Sequence, residues 1–299
     1  MTTSASPRKL GVLVPGGSLY TCDSGGGEAL LCLHGGPGAT HGYLAYGLGT
    51  LASAFRPIFF DQRGGGRSAP FGASQPRFQE LLDDIEALCE AYRLERLGLV
   101  GHSWGALLAL SFAAVTRREI TGVALVNALP FGADLMEVMF EFMSTRVEDE
   151  RVTKRLSRIE ASLSGARVVQ REKVVGFAER TVPLFVRTKN WWRLPRYEVP
   201  PEWQSEVWAD ATLHLNRHRN RLRSGLLVVQ GDEDVAPAEA VARSLIDFGR
   251  AQTATIPRCG HVAPLEAPRA LCRVLRDYFS QAISTRKPAS PAAPSCDAP

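Results

Sequence analysis

The 299-residue chain has no continuous apolar run of the length needed to cross a bilayer, which excludes a helical membrane protein. Its six cysteines, Cys22, Cys32, Cys89, Cys259, Cys272 and Cys296, lie far apart with no C-x-x-C pair. That excludes a disulfide frame and a zinc ribbon, and the expectation is a set of free, reduced thiols. Excess charge is also missing: 35 basic against 31 acidic residues leave a net +4, too little to draw the chain to nucleic acid or an anionic membrane. Neither glycine run, Gly25–Gly27 nor Gly64–Gly66, is part of the G-x-x-x-x-G-K-[ST] pattern of a phosphate-cradling loop. Residues 1–20 lack the apolar stretch of a signal peptide and are interrupted by Pro7 and Pro15, so the expected compartment is the cytoplasm. No repeat of solenoid or propeller period is present.

What is there is an alternation. The short apolar runs Ala29–His34, Pro57–Asp61, Leu97–Gly101, Gly122–Asn127 and Leu226–Gln230 read as buried strands. Between them lie helical patterns: Phe78, Leu81, Leu82, Ile85 and Leu88 share one face of a helix over Arg77–Arg93. Leu271, Val274, Leu275 and Tyr278 do the same over about 268–282. Uninterrupted hydrophobic strands alternating with amphipathic helices predict an α/β fold, a mostly parallel sheet covered on both faces.

One stretch breaks the pattern. Residues 131–223 contain no clear buried strand and carry 17 Lys/Arg against 13 Asp/Glu, the whole excess charge of the chain. They also hold Trp191, Trp192, Trp203 and Trp208, four of the five tryptophans. The reading is a helical cap inserted into a discontinuous main domain formed by 10–130 and 224–283. Its tryptophans are expected to form the cap's own small core or to line a cleft. The Ser/Thr/Pro-rich residues 1–9 and the Pro/Ala/Ser-rich residues 284–299 are expected to be disordered tails.

The sharpest chemical signal is Gly101-His102-Ser103-Trp104-Gly105, a G-x-S-x-G directly after one predicted strand and before a helical run. Two glycines allow a turn tight enough to push the serine hydroxyl out at a helix N-terminus. A serine needs a base, and the base needs an orienting carboxylate. Gly231-Asp232-Glu233-Asp234 follows the strand 226–230, and Gly260-His261 comes later, in the chain order serine, acid, histidine. Asp234, which leads into Val-Ala-Pro, ranks first as the acid, with Asp232 second and Glu233 a further competitor. His34-Gly35-Gly36-Pro37-Gly38 follows the strand 29–33 and suits an oxyanion loop, with the N–H groups of Gly36 and Trp104 as donors.

These segments, with DQRGGGRS at Asp61–Ser68, GDEDVAP at Gly231–Pro237 and CGHVAPLEAP at Cys259–Pro268, resemble the proline iminopeptidases and their relatives in the α/β-hydrolase superfamily. The resemblance runs in order from His34 to Pro268. It implies an eight-stranded sheet with a helical cap, a Ser103–His261–Asp234 triad, no cofactor, and release of an N-terminal residue, often proline, from small peptides. That family commonly has glycine where His102 stands, and its cap carboxylates anchor the substrate amine; none of Glu137, Glu141, Glu172, Glu179, Glu198, Glu202 or Glu206 matches a motif for that task.

The expected partner is therefore a small molecule or short peptide, with no nucleic acid and no membrane. Hydrolysis of a small ester, thioester or amide, acyl transfer, and ligand binding with little turnover are the alternatives. Epoxide or haloalkane chemistry on this fold would want an aspartate at position 103. Asp61, Arg63 and Arg67 are read as internal bracing of a loop. His214 and His218, spaced i, i+4, read as a surface pair, and the run Arg217, Arg219, Arg221, Arg223 as a solvated helix end.

Overall fold

A computed structural model describes residues 8–68, 76–131, 201–218 and 221–285, with isolated positions 150, 153–154, 157–158 and 161. All five predicted strands are present: β3 (Ala29–Leu33), β4 (Arg56–Phe60), β5 (Arg96–His102), β6 (Glu119–Val126) and β7 (Leu226–Gly231). Every residue of β3 and of β7 is buried, as the unbroken apolar runs require for strands covered on both faces.

Three further strands complete one eight-stranded sheet, ordered β1-β2-β4-β3-β5-β6-β7-β8. β1 (Arg8–Val14) and β2 (Gly17–Asp23) form an antiparallel hairpin, β2 pairs antiparallel with β4, and all remaining pairs are parallel. The hairpin escaped the sequence reading because its strands alternate: Val12 and Val14 are buried while Leu13 faces solvent. β8 (Ala251–Ile256) escaped because only Ile256 in it is fully buried.

Helices cover the two faces separately. On one side pack α2 (Phe78–Ala91), α3 (Trp104–Val115), α4 (Pro201–Arg217) and α5 (Ala238–Ser244). On the other lie α1 (Gly42–Leu48), α6 (Ala263–Glu266) and α7 (Pro268–Ser284). α2 buries Phe78, Leu81, Leu82, Ile85 and Leu88, the predicted stripe, and its first turn is closed by the Arg77 N–H donating to Glu80 Oε2 at 2.8 Å. α7 buries Leu271, Leu275 and Tyr278, with Val274 at the margin of the buried face. α3 is buried from Trp104 to Ala114, because it lies directly on the sheet under other helices.

Three expected boundaries move. The N-terminal tail does not extend to Lys9: Arg8 and Lys9 pair with Asp23 and Cys22 in the hairpin. The C-terminal tail does not begin at 284, since Ser284 closes α7. Part of the stretch expected as a cap, 131–223, joins the main core. Val207, Ala211 and Leu215 of α4 are buried in the same cluster as α2 and α3, and the Trp208 ring packs on Trp104 at 4.9 Å between centroids. Hydrophobic area available on α2 and α3 explains this, for an amphipathic helix lowers its free energy on the largest apolar surface it reaches. The rest of the expected cap, including the side chains of Trp191, Trp192 and Trp203, lies outside the described residues, as do 1–7 and 286–299.

Candidate active site

Parallel strands that all run one way deliver their C-terminal loops to one edge of the sheet. β5 ends there at His102, and Ser103 follows with φ 51° and ψ −119°, in the left-handed half of conformational space. That strained turn persists because its flanks leave no alternative. A Cβ on Gly101 would come 2.2 Å from the Gly105 carbonyl oxygen, and one on Gly105 would come 2.2 Å from that of Leu33. Glycine at both positions lets strand, turn and helix close on each other, and the serine side chain is left at the tip.

His261 lies between the other two groups. Its Nε2 is 3.0 Å from Ser103 Oγ and its Nδ1 is 2.7 Å from Asp234 Oδ1. The Asp234 side chain is fully buried. Burial acts to raise its pKa, but the His261 charge and hydrogen bond, the Asn127 amide and the Val235 N–H outweigh it and hold the carboxyl below its ordinary value. Asp232 points elsewhere: its Oδ1 accepts from the Cys259 N–H at 3.0 Å. Among the acidic candidates after β7, the hydrogen bond to His261 is made by Asp234.

Asn127 was missed by the sequence reading. It sits at the end of β6 with φ 48°, donates Nδ2–H to Asp234 Oδ2 at 2.7 Å and to the Gly260 carbonyl at 3.0 Å, and accepts from the Ala263 N–H at 3.0 Å. One buried amide thus ties the acid loop to both sides of the histidine loop. Its signal in the sequence was only an asparagine ending a strand, a residue type tolerant of positive φ.

The loop His34–Gly38 lies against the elbow: a Cβ on Gly35 would come 3.3 Å from Ser103 Cβ. Gln62 braces it, donating Nε2–H to the His34 carbonyl at 2.9 Å while its Oε1 accepts from the Trp104 indole N–H at 3.0 Å. His34 accepts the Gln62 N–H on Nε2 at 3.0 Å, which leaves Nδ1 to donate to the Gly35 carbonyl at 2.7 Å. Burial above all keeps this imidazole neutral, with its pKa lowered to about 4. His102 is buried as well and lowered to about 3, first by burial and then by the neighbouring His261.

The DQRGGGRS segment is bracing, as its residues suggested. Asp61 accepts from the His41 and Arg67 N–H groups and from the His41 ring. Arg63 makes a two-point contact with Asp84, at 2.8 and 2.6 Å. His214 and His218 face each other at 4.5 Å between ring centroids and are half-buried; His214 also packs on Phe78 at 5.3 Å. Among the described residues no group of three or more His, Cys, Asp or Glu is placed to hold a metal ion, and no helix is long and apolar enough to cross a membrane. Five cysteines there are free thiols.

The alpha/beta hydrolase fold family matches residues 28–268. The chain belongs to that family. A proline iminopeptidase from Heyndrickxia coagulans is 34% identical over 91 residues, 30% of this chain and 31% of that protein. Epoxide hydrolase B from Mycobacterium tuberculosis (strain H37Rv) is 33% identical over 107 residues, 35% of this chain and 30% of that protein. The matches thus span about a third of the length of these relatives. Among solved structures, a proline iminopeptidase from Mycobacterium smegmatis superposes with a TM-score of 0.66 at 19% identity, covering 93% of this chain and all of that one, a likeness of fold. The eight-stranded sheet flanked by helices is the fold of that family.

Proposed function

We propose that this α/β hydrolase is a serine hydrolase in which Ser103 is the nucleophile, His261 the general base and acid, and Asp234 the group that orients His261. The observation that carries the reading is the unbroken hydrogen-bonded array from Ser103 Oγ through both ring nitrogens of His261 to a buried Asp234. In the reaction, Oγ attacks a substrate carbonyl as its proton passes to His261 Nε2. The N–H groups of Gly36 and Trp104 receive the oxyanion, and the imidazolium is stabilised by the Asp234 carboxylate. Collapse of the tetrahedral intermediate passes the proton to the leaving amine or alcohol. Water, activated by the same imidazole, then releases the acyl group and returns the proton to Oγ.

The proposed substrate is a small peptide from which an N-terminal residue of proline type is released, supported by the HGGPG and DQRG segments and by the proline iminopeptidase relative. Residues 131–200 are proposed as the cap that contacts it. A serine at position 103 weighs against epoxide chemistry, which on this fold would use an aspartate nucleophile. The test is turnover by wild-type and Ser103→Ala protein of proline and alanine para-nitroanilides beside short-chain para-nitrophenyl esters. Serine-dependent release from the proline anilide, abolished when its amine is acetylated, is the expected result. Turnover of esters alone would move the assignment to an esterase, and no serine-dependent turnover would favour a ligand-binding role.

A further inference from the structure

His102 occupies a position the proposed mechanism does not use, and the directions of its hydrogen bonds are fixed by its partners. Its Nε2 lies 2.8 Å from the His261 carbonyl oxygen. A carbonyl only accepts, so Nε2 carries the proton. In a neutral ring Nδ1 is then bare and accepts the Tyr43 hydroxyl proton across 2.7 Å. The Tyr43 oxygen in turn accepts the Gly35 N–H, also at 2.7 Å. One directed chain runs from the Gly35 N–H to the Tyr43 hydroxyl, from that hydroxyl to His102 Nδ1, and from His102 Nε2–H to the His261 backbone.

We infer that Tyr43 and His102 are positioning residues that lock the loop carrying Gly36 to the backbone of His261 across the base of the elbow. The inference rests on the proposed roles of Ser103, His261 and Gly36. Its physical content is alignment. His102 adjoins Ser103 in sequence, and the two loops it joins carry the proton acceptor and one oxyanion donor, so their spacing about Oγ is set by a single rigid imidazole. Neutrality belongs to the same device. The His102 and His261 rings are 5.5 Å apart, and a second cation there would oppose the imidazolium that forms during the reaction. The buried His102 ring, with its lowered pKa, meets that requirement.

The experiment uses full-length protein labelled with 15N in its six histidines. Long-range proton–nitrogen spectra at pH 7 report each ring's tautomer, and His102→Gln assigns the resonance. His102 is expected as the neutral Nε2–H form, the opposite of His34, whose Nδ1 donates. Finding His102 charged or as the Nδ1–H form overturns the inference, and the tautomer is read on the wild-type protein itself. In Tyr43→Phe the His102 resonances are expected to lose the single-tautomer pattern. On a chromogenic ester or anilide, its kcat per folded molecule is expected to fall about tenfold with KM within about twofold, and its melting midpoint to fall by several degrees as the Gly35 N–H loses its acceptor. An unchanged kcat, or a loss confined to KM, overturns it. Labelling of wild-type Ser103 by a fluorophosphonate separates the two proposals: without it the nucleophile reading fails, whereas labelling with an unaffected Tyr43→Phe protein sinks the positioning role alone.

Discussion

Two loops of this molecule each hold a histidine whose Nδ1 lies 2.7 Å from a buried aspartate oxygen, His261 with Asp234 and His41 with Asp61. In both, burial works against the carboxylate, and the histidine and neighbouring N–H donors outweigh it and hold the carboxyl low. What differs is the far side of each ring. His261 Nε2 faces the Ser103 hydroxyl at the tip of a strained turn. His41 is stacked against Tyr20 and Phe59, at 5.5 and 6.5 Å between centroids, and the second oxygen of its aspartate is taken by the Arg67 N–H. A histidine–aspartate pair is thus not itself a catalytic device. In one loop the fold aims the free nitrogen at the Ser103 hydroxyl, as the proposed mechanism needs, and in the other the same pair closes a loop.

The comparison is broken or sharpened most strongly by Asp234→Asn and Asp61→Asn. The first is expected to lower kcat per folded molecule by about 10³- to 10⁴-fold, because the amide favours the wrong His261 tautomer. If the two aspartates have distinct roles, Asp61→Asn leaves kcat per folded molecule within about threefold. It is instead expected to cost about 3 kcal/mol in urea unfolding, since several buried donors lose their carboxylate acceptor. A large kcat loss in Asp61→Asn at full stability would show that the two pairs are coupled.

An effect of intermediate size comes from His34 and His102. Their ordinary value is 6.5, and folding lowers them to about 4 and about 3. Below pH 6.5 the unfolded chain binds protons that the folded chain refuses, so stability is full above that pH and declines as pH falls, until the folded values are reached. Each ring is expected to cost about 2 kcal/mol by pH 5, read as a falling urea midpoint between pH 7 and 5. A flat midpoint over that range would mean that one or both rings are already charged in the folded protein. The smallest effect expected is a gain. Ser103→Gly removes a side chain from a left-handed conformation and is expected to stabilise the fold by about 1 kcal/mol while abolishing turnover. A loss of stability there would mean that the serine contacts outweigh the strain.

Much of this architecture was legible in the residues. The five central strands could be read because both their faces are covered, which leaves an unbroken apolar run. The hairpin β1–β2 and strand β8 could not, because half-exposed strands dilute the same signal with polar residues. The elbow was legible for a local reason, since two glycines and a serine directly between strand and helix meet a steric demand within five residues. Asn127 was not legible, because its three hydrogen bonds reach Asp234, Gly260 and Ala263, more than a hundred residues away.

Sequence by itself therefore determined the parallel α/β sheet, the turn that presents Ser103, and the loops from which an acid and a histidine come. Each of these is written in a local pattern of residue types along the chain. Only the tertiary structure decided that Asp234 and not Asp232 meets His261, that α4 joins the main core, and that Tyr43 and His102 stand between two loops. Those outcomes depend on groups brought together by the ordering of strands in the sheet, and one residue's difference along a loop turns a carboxylate toward a different partner.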